Sequence, residues 1–182
     1  MKVQKLSYIC VMTLSEAKIK FINSWGNFGS QWGINKTMGQ IHGLLLVSEN
    51  VLSAEDIMEH LQISRGNANM NIRGLMDWGL VYKETVLGER KEFFIAEKDI
   101  WIVAKRVVKV RQEKELITML RILEELNNEK IECNDEKAEE AFKHTIGDIE
   151  KFAKQADTML TRVQNANENW FWKSLIKLFI KK

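Results

Sequence analysis

A mostly α-helical fold with one small β-hairpin is predicted by three features of the sequence. Apolar residues recur at a 3–4 spacing along most of the 182 residues, proline is absent, and the spacing shortens to two after Gly79, over the hairpin segment. Proline-free sequence suits helices, because proline removes a backbone donor and clashes within a helix interior. Hydrophobic residues make up 45% of the chain, enough at this length to bury a real core. Formal net charge is only +2, so any case for a charged partner must rest on local placement. The two cysteines, Cys10 and Cys133, have no ligand spacing around them. They form neither a disulfide framework nor a zinc knuckle, which points to a reducing, cytoplasmic compartment. No glycine-rich phosphate loop, nucleophile elbow or paired histidine motif is present, and His42, His60 and His144 are scattered. The chain therefore reads as a non-enzyme with no cofactor and no metal. No apolar run approaches the ~20 residues needed to span a bilayer. Residues 6–14, LSYICVMTL, follow Lys2 and Lys5 but lack a small-residue cleavage site, so they read as an N-terminal arm.

The first helix is expected over 14–32, where Phe21, Trp25, Phe28 and Trp32 share one face. Gly26, Gly29 and Gly33 among these aromatics suggest a loose or sharply turned C-terminal end. A second helix, about 36–48, directs Met38, Ile41, Leu45 and Leu46 to a core. Ser53 then caps a third, with Asp56 three residues on in an approximate capping box and Leu52 and Ile57 as a hydrophobic staple. That helix ends near Leu61, and Ser64 caps the next after a tight turn, a helix-turn-helix pattern. The fourth helix, about 65–78, buries Ala68, Ile72, Leu75 and Met76 and ends at Gly79. LVYKETV and RKEFFIA, joined across Leu87, Gly88 and Glu89, read as a β-hairpin. A helix-turn-helix followed directly by a hairpin is a winged helix.

Beyond Asp99, another candidate cap, one helix of some thirty residues is expected to reach about Asn128. Another, about 135–166, keeps Ala138, Ala141, Phe142, Thr145, Ile149, Phe152, Ala156, Met159 and Val163 at a 3–4 spacing. Periodicity sustained over that length favours helix pairing, within a chain or between chains. The ending WFWKSLIKLFIKK is amphipathic. With Trp170, Trp172, Leu175, Ile176 and Phe179 it reads as a dimerisation helix, and with Lys173, Lys177 and Lys181 alternatively as a membrane-surface segment. The expected organisation is an N-terminal dimerisation helix over 1–34, a winged helix-turn-helix domain over 35–97, and a C-terminal helical dimerisation region over 98–182.

The fourth helix, ISRGNANMNIRGL at 63–75, is poorly made by propensity alone. It carries two glycines and three asparagines, and each glycine in a helix interior costs about 0.8–1.0 kcal/mol relative to alanine. Reading a DNA major groove asks for this chemistry. Asparagine pairs with adenine, arginine with guanine, and small residues allow close approach. Residues 62–75 contain no acid although acids outnumber bases across 35–97. Ser64, Arg65, Gly66, Asn67, Met70 and Arg73 are the expected DNA-facing residues of the helix, with Lys83, Arg90 and Lys91 on the wing against the minor groove or phosphates. Asn71 borders the buried stripe and reads equally as structural. The alternative is a winged-helix module that binds protein and not DNA.

The run LSAEDIMEHLQISRGNANMNIRGLMDWGLV, the hairpin GERKEFF and the upstream TMGQIHGLLL resemble MarR-type winged-helix transcriptional regulators. Within them the chain is most similar to the GbsR-like subgroup, whose members share a GNxxMNxRxLxxWGLV segment. The resemblance spans roughly residues 14–125. It implies a homodimer held by terminal helices, double-stranded DNA as partner, repression of nearby genes, and response to a small-molecule effector. One departure is that Asn35-Lys36 and Glu49-Asn50 stand where the subgroup commonly has prolines, so slightly altered helix starts are expected. Some GbsR-like proteins sense choline-type compounds, which makes Trp25, Trp32 and Trp101 candidates for an aromatic cage. Core or interface packing is the competing role for the same three side chains.

Overall fold

The computed structural model of the chain describes residues 12–31, 33–131 and 135–166. The chain forms two compact units, one ending at Lys98 and the other beginning at Asp99. Cys10, Cys133, Trp32, the arm at 1–11 and the aromatic tail fall outside the described residues. No helix among those described is long and apolar enough to cross a membrane.

In the first unit, helix α1 spans Leu14–Gln31 and α2 spans Lys36–Val47. Thr13 and Glu16 cap α1 reciprocally: the Thr13 hydroxyl accepts from the Glu16 amide, and the Glu16 carboxylate accepts from the Thr13 amide. Of the glycines expected to loosen or sharply turn the end of α1, Gly33 does turn the chain there, at φ 76°, while Gly26 and Gly29 have another role. Gly26 and Gly29 are buried and let α2 approach closely. A Cβ on Gly39 of α2 would lie 3.0 Å from Gly26 Cα, and one on Gly26 would lie 2.5 Å from Gln40 Cγ. These helices thus meet backbone to backbone. Asn35 caps α2, accepting from the Thr37 amide at 2.8 Å. An asparagine cap takes the place of the missing proline at that start.

The core gathers Ile41, Leu44 and Leu45 of α2, Ile57 of α3 (Ala54–Leu61), and Ala68, Ile72 and Leu75 of α4 (Arg65–Asp77). Met76, expected in the buried stripe, is only half-buried. Strands β2 (Val81–Glu84) and β3 (Phe93–Ala96) form the wing, shorter than the sequence pattern suggested. A third strand was not anticipated. β1, Leu52–Ser53, pairs antiparallel with β3, Leu52 opposite Phe94, giving the order β1-β3-β2. Two residues are too few to show a period, and Ser53 also serves as the α3 cap. This strand ties the wing to the start of the helix-turn-helix.

Lys98 closes the unit by donating to the Leu45, Leu46 and Ser48 carbonyls at 2.7–2.9 Å, where the C-terminal end of α2 leaves acceptors unpaired.

The second unit is a helical hairpin. Asp99 caps α5, Ile100–Arg111, and a π-helical turn, Gln112–Leu116, leads into α6, Ile117–Asn128. The expected single long helix therefore carries an interruption. Its cause is Gln112, which is buried and whose amide donates to Asp157 Oδ1 at 2.5 Å and Thr161 Oγ1 at 3.1 Å and accepts from Gln164. All three partners lie on α7, Glu136–Asn165. A buried amide must be paired, and the widened turn brings it to them. Helix α7 runs antiparallel to α5 and α6, with Asn127 donating to Glu150 and Lys105 to the Ala166 carbonyl. The stretch of α7 before Glu150 extends past the end of α6 by about 20 Å.

Candidate nucleic-acid interface

Helix α4 is placed by its neighbours before any partner is considered. The Ser53 hydroxyl accepts from the Asp56 amide at 3.2 Å, and Asp56 Oδ2 accepts from the Ser53 amide at 2.8 Å. These bonds hold the Asp56 carboxyl below its ordinary range, with smaller help from Lys91 and His60. Between α3 and α4, Gln62 adopts a left-handed conformation, φ 52°, which lets the chain reverse within three residues. Ser64 then caps α4, its hydroxyl accepting from the Asn67 amide at 3.3 Å. The buried side of α4 is fixed by Ala68, Asn71, Ile72 and Leu75.

Its opposite side presents Gly66, Asn69, Met70 and Arg73, all exposed and spaced i, i+3, i+4 and i+7. Ser64 and Arg65 are exposed at the N-terminal end of the same helix. Met70 is 62% exposed, high for an apolar side chain in a well-packed unit. Around Gly66 the helix has open space, with no atom within 4 Å of where a Cβ would stand. The first acid met along this stripe is Asp77.

The three asparagines separate into two roles. Asn71 is 4% exposed, and its amide donates to the Asn67 backbone carbonyl at 2.8 Å and to Asn67 Oδ1 at 2.6 Å. Asn71 is thus a structural residue, and Asn67 is half-buried with its side-chain oxygen engaged. Asn69, absent from the residues expected to face DNA, stands fully on the outward stripe. The helical period could have found it, since 69 lies three after Gly66 and four before Arg73.

Two basic groups are held by acids. Arg65 pairs with Glu55 at 3.1 Å, both exposed, and Lys83 pairs with Glu92 across the wing. The wing tip turns at Gly88, φ +86°, with Leu87 fully exposed. Arg90 and Lys91 are exposed on the loop that returns to β3. Among the described residues no cluster of His, Cys, Asp or Glu is arranged to hold a metal ion.

Comparison with known proteins adds relatives to this geometry. The chain is 23% identical over 125 residues to the HTH-type transcriptional repressor GbsR of Bacillus subtilis (strain 168), covering 68% of this chain and 69% of that one. A solved structure of a transcriptional regulator superposes with a TM-score of 0.58 at 16% identity, covering 82% of this chain and 96% of the other. The fold is a winged helix. A looser likeness, TM-score 0.38 at 16% identity, joins 76% of the chain to 96% of S. aureus MepR in its DNA-binding conformation. No protein-family profile matches the chain.

Within this winged helix the aromatic residues near α1 have a packing role. Trp25 stacks on Phe21 with ring centroids 5.5 Å apart and donates from Nε1 to His42 Nδ1 at 3.2 Å. His42 is buried, and that burial, helped by the Lys98 ammonium, pushes its pKa down to about 4. Trp101 belongs to the other unit, near the start of α5.

Proposed function

We propose that the chain is a sequence-specific, DNA-binding transcriptional regulator that works in the cytoplasm as a homodimer, with α4 entering the major groove. One observation carries this reading: the outward stripe of Gly66, Asn69, Met70 and Arg73 on a helix whose other side is locked into the core. Such a surface is small, acid-free over these four positions and able both to donate and to accept hydrogen bonds. The cap at Ser64 leaves the helix N-terminus facing outward, where its amides favour a phosphate. Arg90 and Lys91 supply the wing with positive charge for the minor groove or phosphates. Arg65 and Lys83 join them by exchanging Glu55 and Glu92 for phosphate oxygens, an exchange of exposed pairs worth little in isolation. Repression is the proposed direction of control, because the Bacillus subtilis relative is a repressor.

Dimer formation is supported by the two-sidedness of α7. Ala153, Asp157 and Gln164 face α5 and α6 within the chain. Phe152 and Met159 point to another side of the helix and are exposed, whereas Phe142 and Ile149, eleven and four residues before Ala153, continue the same side and are exposed on its N-terminal half. A run of large apolar side chains over that length calls for a partner, and a second copy of α7 is self-complementary to it.

Selection from a randomised duplex pool tests the reading. Enrichment of a two-fold symmetric motif, with half-sites about 10 base pairs apart, is expected of a dimer that places one α4 in each of two successive grooves. A folded dimer that enriches no sequence would refute it.

A further inference from the structure

Gly66 is unexplained by the fold. It sits within α4 at an ordinary backbone angle, since among the described residues positive φ glycines are Gly33, Gly79 and Gly88. It also touches nothing, with 4 Å of open space around its missing Cβ. Elsewhere in the unit the helical glycines are filled by neighbours: Gly26 and Gly39 by each other's helices, Gly43 by Trp25, Gly74 by Met38. An alanine at 66 would be accommodated by the chain itself and would favour the helix. Nothing among the described residues requires the small residue, which points to a partner close against α4.

Asn69 and Met70 flank the line from Gly66 to Arg73 on either side of the same face. Of the three asparagines only Asn69 is both exposed and uninvolved in the Asn67–Asn71 bonds. Its amide carries a donor and an acceptor side by side, the complement of adenine N7 and N6 in the major groove. Met70 is the one large apolar side chain on this face of α4. The thymine C5-methyl is the one apolar group that base pairs display in the major groove.

Resting on the DNA-binding reading, we infer that Gly66, Asn69 and Met70 form a reader of adenine–thymine pairs: Gly66 admits the groove, Asn69 pairs with adenine, and Met70 packs on a thymine methyl. Arg73, one turn further along, reads a purine beside them. Asn69 is then a specificity-determining residue, and Asn67 is a support for Asn71.

The full-length protein is tested on the site selected above, with wild type, Asn69→Ala and Met70→Ala measured by fluorescence anisotropy. Each adenine–thymine pair of a half-site is replaced in turn, and each thymine is separately replaced by deoxyuracil, which removes only the methyl. Wild type is expected to discriminate roughly 5- to 150-fold at one adenine. Asn69→Ala abolishes that preference while keeping the others, and Met70→Ala becomes indifferent to one thymine-to-uracil change that weakens wild type. Unchanged preference at every position in Asn69→Ala, with wild type selecting a clear motif, overturns this inference and leaves the DNA-binding reading standing. Failure of wild type to select any motif removes both.

Discussion

A buried histidine that stays neutral makes folding sensitive to acid, and His42 is held in this way. Its folded pKa is about 4, against an ordinary 6.5 for histidine, and burial is the main cause. Between those values the unfolded chain binds a proton that the folded chain does not. Stability is therefore expected to fall as pH drops from about 6.5 towards 4, by on the order of 3 kcal/mol for a shift of this size. Urea titrations across that window check it, and His42→Gln is expected to flatten the slope. At Gly66 the expectation is opposite for stability and for binding. Gly66→Ala should leave the urea midpoint unchanged or raise stability by up to about 1 kcal/mol, yet weaken binding to the selected DNA. Residue-scale reading of the sequence had mixed success in α4, for a physical reason. Period placed Gly66, Met70 and Arg73 on the open face, but composition alone could not distribute three asparagines. That depended on Asn71 reaching back four residues to Asn67, which withdrew both from the outer surface and left Asn69 there.

Elements were legible where a local rule decides them. Ser53, Ser64 and Asp99 each cap the helix the sequence assigned to them, because a cap is settled within four residues. What escaped is what depends on distant partners. β1 exists through its pairing with β3, and the π-helical turn exists through the partners of Gln112 on α7. Gly26 and Gly29 were misjudged for the same reason, since only α2 shows why they are small, whereas Gly33 makes the expected sharp turn. Gly39→Ala must push α1 and α2 apart, because its new methyl would stand 3.0 Å from Gly26 Cα. A loss of about 1–3 kcal/mol is expected for overpacking of this kind, read as a lower urea midpoint with unchanged m. A stability equal to wild type would mean the helix crossing is looser than it stands here.

At the scale of the molecule, the first unit carries the helix proposed to read the groove, and the second exposes Phe142, Ile149, Phe152 and Met159 of α7, uncovered by the other described residues. Expected boundaries at 34 and 97 meet one observed division, after Lys98, and α1 packs on α2 within the first unit. If α7 joins two copies, the double variant Phe152→Glu/Met159→Glu should sediment as a monomer at concentrations where wild type is a dimer. That monomer should bind the selected operator more weakly, because it engages one half-site. Duplex binding by wild type should weaken steeply with salt, as phosphate contacts release counterions. The central claim is that the open face of α4 meets DNA. The measurement that addresses it most directly is the affinity of Arg65→Ala/Arg73→Ala for the selected operator across a salt series, beside wild type. Because both side chains are exposed, the variant should fold normally. The expected result is a loss of at least about 1–3 kcal/mol, the effect of one lost base contact, with a shallower salt slope. Affinity and slope equal to wild type would contradict the claim.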